Sequence, residues 1–109
     1  MKKLNSFSIG DTKLTSNSRP YIIAEIGVNH EGSLEKAKTL IDLAKKGGAN
    51  AAKFQSYKAD TLASVNSPAY WDISKEKTKS QHQLFKKYDS FSANDYSELA
   101  QYCKKIKID

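Results

Sequence analysis

Two short segments carry a carboxylate, an ammonium and an amide where the three could act together. Glu25 stands in "YIIAEIGVNHEGS", and Lys53 and Gln55 stand in "ANAAKFQS". Tyr21 to Gly27 is apolar nearly throughout, which predicts a strand covered on both faces in a parallel sheet. Ala49 to Ser56 reads as a second strand. Side chains alternate faces along a strand. Ile23, Glu25 and Gly27 therefore share one face, and Ala51, Lys53 and Gln55 share one face of the neighbour. Ligands of α/β sheets and barrels bind at the carboxyl ends of the strands. A lysine there pairs with a carboxylate or phosphate as a point charge. A carboxylate steers a hydroxyl or moves a proton. An amide donates to and accepts from a sugar hydroxyl. The same spacing also describes a plain Glu25–Lys53 ion pair bridging two strands. A buried pair of that kind recovers its desolvation cost poorly, which favours a role other than stability.

The elements that must position these groups are local and readable. Ser33 is a suitable N-cap, and Glu35 complements the dipole of the helix it opens. Leu34, Ala37, Leu40, Ile41 and Ala44 recur at helical spacing, and Gly47-Gly48 stops the run. Strand, helix and strand joined by short loops make a βαβ unit with parallel strands and a right-handed crossover. Ahead of it, "LNSFSIGDTKL" (residues 4–14) alternates around Gly10-Asp11 as a small hairpin, and "SNSRP" is a linker. Residues 57–74 read as a long loop. A helix is expected from about Lys75 to Lys87, with Gln81, Leu84 and Phe85 inward. Ser92 and Asp95 form a capping box for a last helix with the stripe Tyr96, Leu99, Ala100, Cys103 and Ile106. Ile106 and Ile108 look like the approach to a third strand.

Composition narrows the function classes. The 109 residues hold 39% hydrophobic and 28% charged residues and a formal net charge of +6. No apolar run approaches the roughly 20 residues that cross a bilayer, so no membrane partner is expected. The start "MKKLNSFSIG" lacks an apolar core behind its lysines, which argues against a secretory signal. Cys103 is the single cysteine, which fits a reducing cytoplasm. The lysines of the second half are interleaved with helix formers and read as solvated helix faces. The aromatic and basic face of a single-strand binder is missing, so no nucleic acid is expected. Asn29, His30 and Glu31 suggest a polar loop, closing over the site or lying in solvent, rather than a metal centre. His82 reads as a surface residue and Cys103 as a core residue. Tyr70 and Trp71 are read as packing against a barrel rim, with stacking on a ligand as the alternative.

The run Pro20 to Ser64, with "IAEIGVNHEGSLEKA" and "AAKFQ" at this separation, closely resembles the N-terminal part of the N-acetylneuraminate (sialic acid) synthase family. That family includes legionaminic and pseudaminic acid synthases and a spore-coat polysaccharide synthase. "FSIGD" is similar to its N-terminal hairpin, and the weaker similarity runs on through "LFKKYDSFSANDYSELAQYCKKIKI". The resemblance implies an α/β fold, the N-terminal portion of a (β/α)8 TIM barrel preceded by a small β-hairpin. Residues 1–19 would form the hairpin and linker, and residues 20–109 the first βα units. An average barrel needs ~250 residues, so the chain is expected to be a fragment that is inactive alone. The implied reaction condenses phosphoenolpyruvate with an N-acetylated mannosamine-type sugar to a nine-carbon keto acid and phosphate. Glu25 would match the acid beside the reacting centre, Lys53 the lysine holding the phosphoenolpyruvate anion, and Gln55 the amide on the sugar. A divalent metal, manganese or magnesium, would assist from ligands outside this chain. The implied whole enzyme is a cytoplasmic homodimer. The neuraminate branch carries an asparagine in the loop after the second strand. Here that region reads "DISKEKTKSQHQ", which leaves a diacetamido sugar open as the acceptor. Another phosphoenolpyruvate-using keto-acid sugar synthase and a noncatalytic basic binding module are the rival readings.

Overall fold

In the computed structural model, which describes residues 5–109, the alternation around Gly10-Asp11 folds as expected. Strand β1 (Ser6–Ile9) pairs antiparallel with β2 (Thr12–Thr15), Ser6 opposite Thr15 and Ile9 opposite Thr12. Leu4, the first residue of the expected hairpin, lies outside the described residues. The βαβ unit follows as β3 (Ile23–Gly27), α1 (Leu34–Lys46) and β4 (Ala51–Phe54), with the two strands parallel. A one-turn helix α2 (Ala59–Leu62), then α3 (Gln81–Tyr88) and α4 (Ala93–Ile106) complete the chain.

The caps lie where the sequence places them. The Ser33 hydroxyl accepts from the Lys36 N–H at the head of α1. Gly48 takes φ +89 just beyond its end. Ser92 and Asp95 form a complete capping box on α4. Such a cap is worth about 1 kcal/mol, because it satisfies amides that the first turn leaves unpaired. Ala37 and Ile41 of α1 and Leu99 and Cys103 of α4 are buried together with Ile26, Phe91 and Ile108. Ala100, expected on the α4 stripe, is exposed instead. It borders an open apolar groove of about 400 Å³ between β4 and α4, lined also by Ala52, Phe54, Tyr96 and Ile108.

Three expectations need correcting. Both faces of the sheet were expected to be covered. Both α1 and α4 contribute to one core, and Ile22 and Ile23 remain 51% and 54% exposed. The apolar run in β3 thus reports a face that nothing among the described residues covers. The helix expected from Lys75 begins only at Gln81, where Ser80 caps it by accepting from the Gln83 N–H. Residues 72–79 turn instead around side-chain acceptors: Asp72 takes the Ser74 amide and Glu76 takes the Thr78 amide. Ile106 is still helical. Lys107 caps α4 in the left-handed region, and Asp109 then joins the sheet. The Asp109 N–H donates to Asn50 O at 3.1 Å, and its carbonyl accepts from the Ala52 N–H at 2.8 Å. Those two bonds straddle Ala51 in the pattern of parallel pairing. The strand-like pairing therefore comes one residue after Ile108, at Asp109 alone, on the free edge of β4.

Candidate functional site

Glu25 and Lys53 are direct register partners on neighbouring parallel strands. The Lys53 Nζ lies 2.8 Å from the Glu25 Oε2. Their side chains remain 51% and 61% exposed on the sheet face away from the helices. An ion pair that wet contributes little to stability, about 0–1 kcal/mol. A pair this exposed bears little desolvation cost, so burial gives it no reason for a role other than stability.

A bulge follows Glu25. Glu25 faces Lys53, but Gly27 faces Phe54, so Ile26 is the extra residue. The strict alternation expected for Ile23, Glu25 and Gly27 therefore breaks at Gly27. Bulges re-aim side chains near the ends of strands. Here Ile26 turns into the core, while Glu25 stays on the open face. Gly27 has φ +58, which an L-residue adopts only under strain. A Cβ built there would lie 3.4 Å from both Glu25 Oε1 and Gln55 Oε1. Glu25 and Gln55 thus flank the same glycine, and Glu25, Lys53 and Gln55 stand together at the carboxyl ends of β3 and β4. Gln55 is held from behind. Its carbonyl accepts from the Tyr96 hydroxyl at 2.8 Å. Burial raises the pKa of that hydroxyl, so it stays a donor at neutral pH. Tyr96 reads in the sequence only as one member of a helical stripe, which gives no sign of this contact.

Two histidines differ from expectation. His30 is 1% exposed, with its ring stacked on Phe91 at 4.1 Å and tilted against Phe54 at 6.0 Å. His30 thus anchors the loop from Val28 to Ser33 in the core, while Asn29, Glu31, Gly32 and Ser33 lie exposed, as expected of a loop in solvent. Short bonds close it: Asn29 N–H to Ile26 O, Glu31 N–H to Val28 O and Ser33 N–H to His30 O. His82 is 8% exposed rather than on the surface. Its Nε2 lies 2.7 Å from Asp60 Oδ1, and its backbone N–H donates to Ser67 Oγ. Both contacts cross from α3 to the segment around α2, so the residue fastens the long excursion between β4 and α4. Hydrogen bonding to His82 holds the Asp60 carboxyl below its ordinary range. The Trp71 indole donates to Thr78 O, with Tyr70 edge-on to it and 74% exposed. Both rings belong to the excursion itself. Cys103 is buried, as expected of a core residue, and burial raises its thiol pKa.

Among the described residues, no group of three or more His, Cys, Asp or Glu could hold a metal ion. His30 is also unsuited as a ligand. Its Nδ1 accepts from the Gly32 N–H at 2.9 Å, which leaves the proton on Nε2. No helix is long and apolar enough to cross a membrane, among the described residues.

The model of the NeuB family matches residues 40–109. An N,N'-diacetyllegionaminic acid synthase of Legionella pneumophila is 37% identical over 103 residues, covering 91% of this chain and 28% of that protein. An N-acetylneuraminate-9-phosphate synthase of Drosophila melanogaster is 39% identical over 94 residues, covering 82% of this chain and 24% of that protein. The crystal structure of an N-acetylneuraminic acid synthetase from Leptospira borgpetersenii, in complex with citrate, superposes with a TM-score of 0.73 at 30% identity. That match covers 94% of this chain and 32% of that one. The chain therefore spans about a quarter to a third of the length of these relatives.

Proposed function

The chain belongs to the NeuB family, and from that premise we propose that it is the N-terminal portion of a nonulosonic acid synthase. The whole enzyme would be a (β/α)8 barrel that condenses phosphoenolpyruvate with an N-acetylated mannosamine-type sugar, releasing phosphate. Residues 6–15 supply its hairpin, and β3, β4 and the start at Asp109 supply the first strands. The Lys53 ammonium holds the anionic groups of phosphoenolpyruvate. Glu25, on the neighbouring strand, orients the sugar and serves the proton movements at the reacting carbons. Gln55 contacts a sugar hydroxyl. The reading rests most on one observation: Glu25 and Lys53 are register partners 2.8 Å apart at the carboxyl ends of parallel strands. A divalent metal, manganese or magnesium, belongs to the proposal for the whole protein. The described residues offer no donor set for it, and no step here passes through it. The working form is proposed to be a cytoplasmic homodimer.

Phosphate release from phosphoenolpyruvate tests the reading, measured on the full-length protein with N-acetylmannosamine and with a diacetamido hexose. The sugar that supports turnover identifies the branch. A panel of other aldose acceptors separates the rival keto-acid sugar synthases. Lys53→Met should lower kcat/KM by roughly 10- to 150-fold, the range for losing one charged hydrogen bond. Stability should change by no more than about 1 kcal/mol, because the pair is half-exposed. Wild-type kcat/KM in Lys53→Met would overturn the assignment.

A further inference from the structure

We propose that His30 is a positioning residue for Glu25, acting through its Nδ1 rather than through ring packing. His30 lies in the turn that leads out of β3, five residues beyond Glu25. Its Nδ1 accepts from the Gly32 N–H at 2.9 Å, and its carbonyl accepts from the Ser33 N–H at 3.0 Å. The imidazole thus fixes the turn at Gly32, while the backbone carbonyl holds the residue that caps α1. Its Nε2 is buried and has no hydrogen-bond partner among the described residues. Leaving a buried donor unpaired is costly. A phenylalanine would fill the slot between Phe54 and Phe91 without that cost. Packing alone therefore gives no reason for a polar ring here, whereas the bond to Gly32 does. Gly32 itself has φ +78 and lies against Ser90. The Nδ1 bond closes the loop on itself, the stack on Phe91 joins it to the turn before α4, and the Asn29 amides that donate to Ile26 O join it to the bulge. With that turn fixed, the bulge at Ile26 is held from both sides and Glu25 keeps its place opposite Lys53.

Two substitutions in the full-length protein separate the hydrogen bond from the stack. His30→Phe keeps a ring on Phe91 and removes the acceptor. His30→Asn places an amide oxygen where Nδ1 stands and removes the ring. The kinetic arm rests on the synthase reading above. His30→Phe should lose kcat by roughly 10- to 100-fold, as expected for ångström-scale misplacement of a reacting group. Its KM for phosphoenolpyruvate should hold, because Lys53 lies on the other strand. His30→Asn should lose thermal stability yet keep its kcat per folded molecule. Wild-type kcat in His30→Phe, or the opposite ranking of the two variants, would overturn the proposal. A second arm needs no turnover. Imidazole ¹⁵N spectra should show Nδ1 unprotonated and Nε2 protonated at neutral pH. The Gly32 amide should exchange slowly in wild type and His30→Asn, and faster in His30→Phe. A protonated Nδ1, or equal exchange in all three, would refute the positioning role. If the wild-type protein performs no condensation, the synthase reading fails, and these spectra still decide the role of His30.

Discussion

Gly32→Ala offers a sharp test of how the loop after β3 is held. The substitution meets two separate costs. At φ +78, an L-residue carries strain of about 1–2 kcal/mol. The unfolded chain, made stiffer, returns about 0.4–1 kcal/mol of that. The new Cβ would also sit 2.5 Å from Ser90 Oγ, although Ser90 Cβ, at 3.5 Å, is in ordinary contact. Ser90 is exposed, so its hydroxyl can swing aside at about 0.5–1.5 kcal/mol of rotamer strain. The sum is about 2 kcal/mol, roughly a 30-fold shift in the unfolding equilibrium. Ser90→Ala alone should be nearly silent. In the double variant it should recover only the clash, about 1 kcal/mol, and leave the backbone strain. Denaturant unfolding of the four proteins closes the cycle. A coupling energy near zero would refute the Gly32–Ser90 contact. A silent Gly32→Ala would refute the left-handed turn itself.

Two further outcomes follow from the same geometry. Burial lowers the His30 pKa below its ordinary value, so below about pH 6.5 the unfolded state binds the extra proton. The stability that the neutral ring allows is complete above that pH and is lost as pH falls towards the folded pKa. His30→Phe should flatten this limb of a stability–pH profile, and an unchanged limb would count against the buried, neutral ring. Lys107 caps α4 at φ +60, a position where glycine is the usual residue. Lys107→Gly should therefore raise stability by about 0.5–1 kcal/mol in thermal unfolding, by relief of left-handed strain. A loss would mean that the Lys107 side chain contributes packing beyond its backbone role.

What the sequence made legible was mostly local. The hairpin, the βαβ unit and the caps at Ser33 and Ser92 depend on residues within a few positions of one another. Their spacing carries the information. The Glu25–Lys53 register was also legible, because two parallel strands with one short crossover leave few alternatives. The burial of His30 was not. It depends on Phe91, which arrives from an excursion whose path no periodicity marks. His82 was misread for the same reason. Its neighbours in the chain are polar, and Ser67 and Asp60 reach it only once the excursion folds back. The bulge at Ile26 was hidden as well, since an apolar residue fits either parity of a strand. Tyr96 carried a double role that a stripe of apolar positions cannot display.

The placement of the lysines bears on how a charged ligand would meet this molecule. The last turn of α1 holds Lys45 and Lys46, that of α4 holds Lys104 and Lys105, and the first turns hold Glu35 and Asp95. Positive charge is thus banked against the carbonyl ends of the two helices, as their dipoles favour. A helix of 13 residues is about 20 Å long. Physiological salt damps exposed charges over about 8 Å. These four lysines therefore sit more than two screening lengths from the strand ends where Glu25, Lys53 and Gln55 gather. An arriving anion would respond to the ammonium of Lys53, and these four helix-end charges would do little to guide it in.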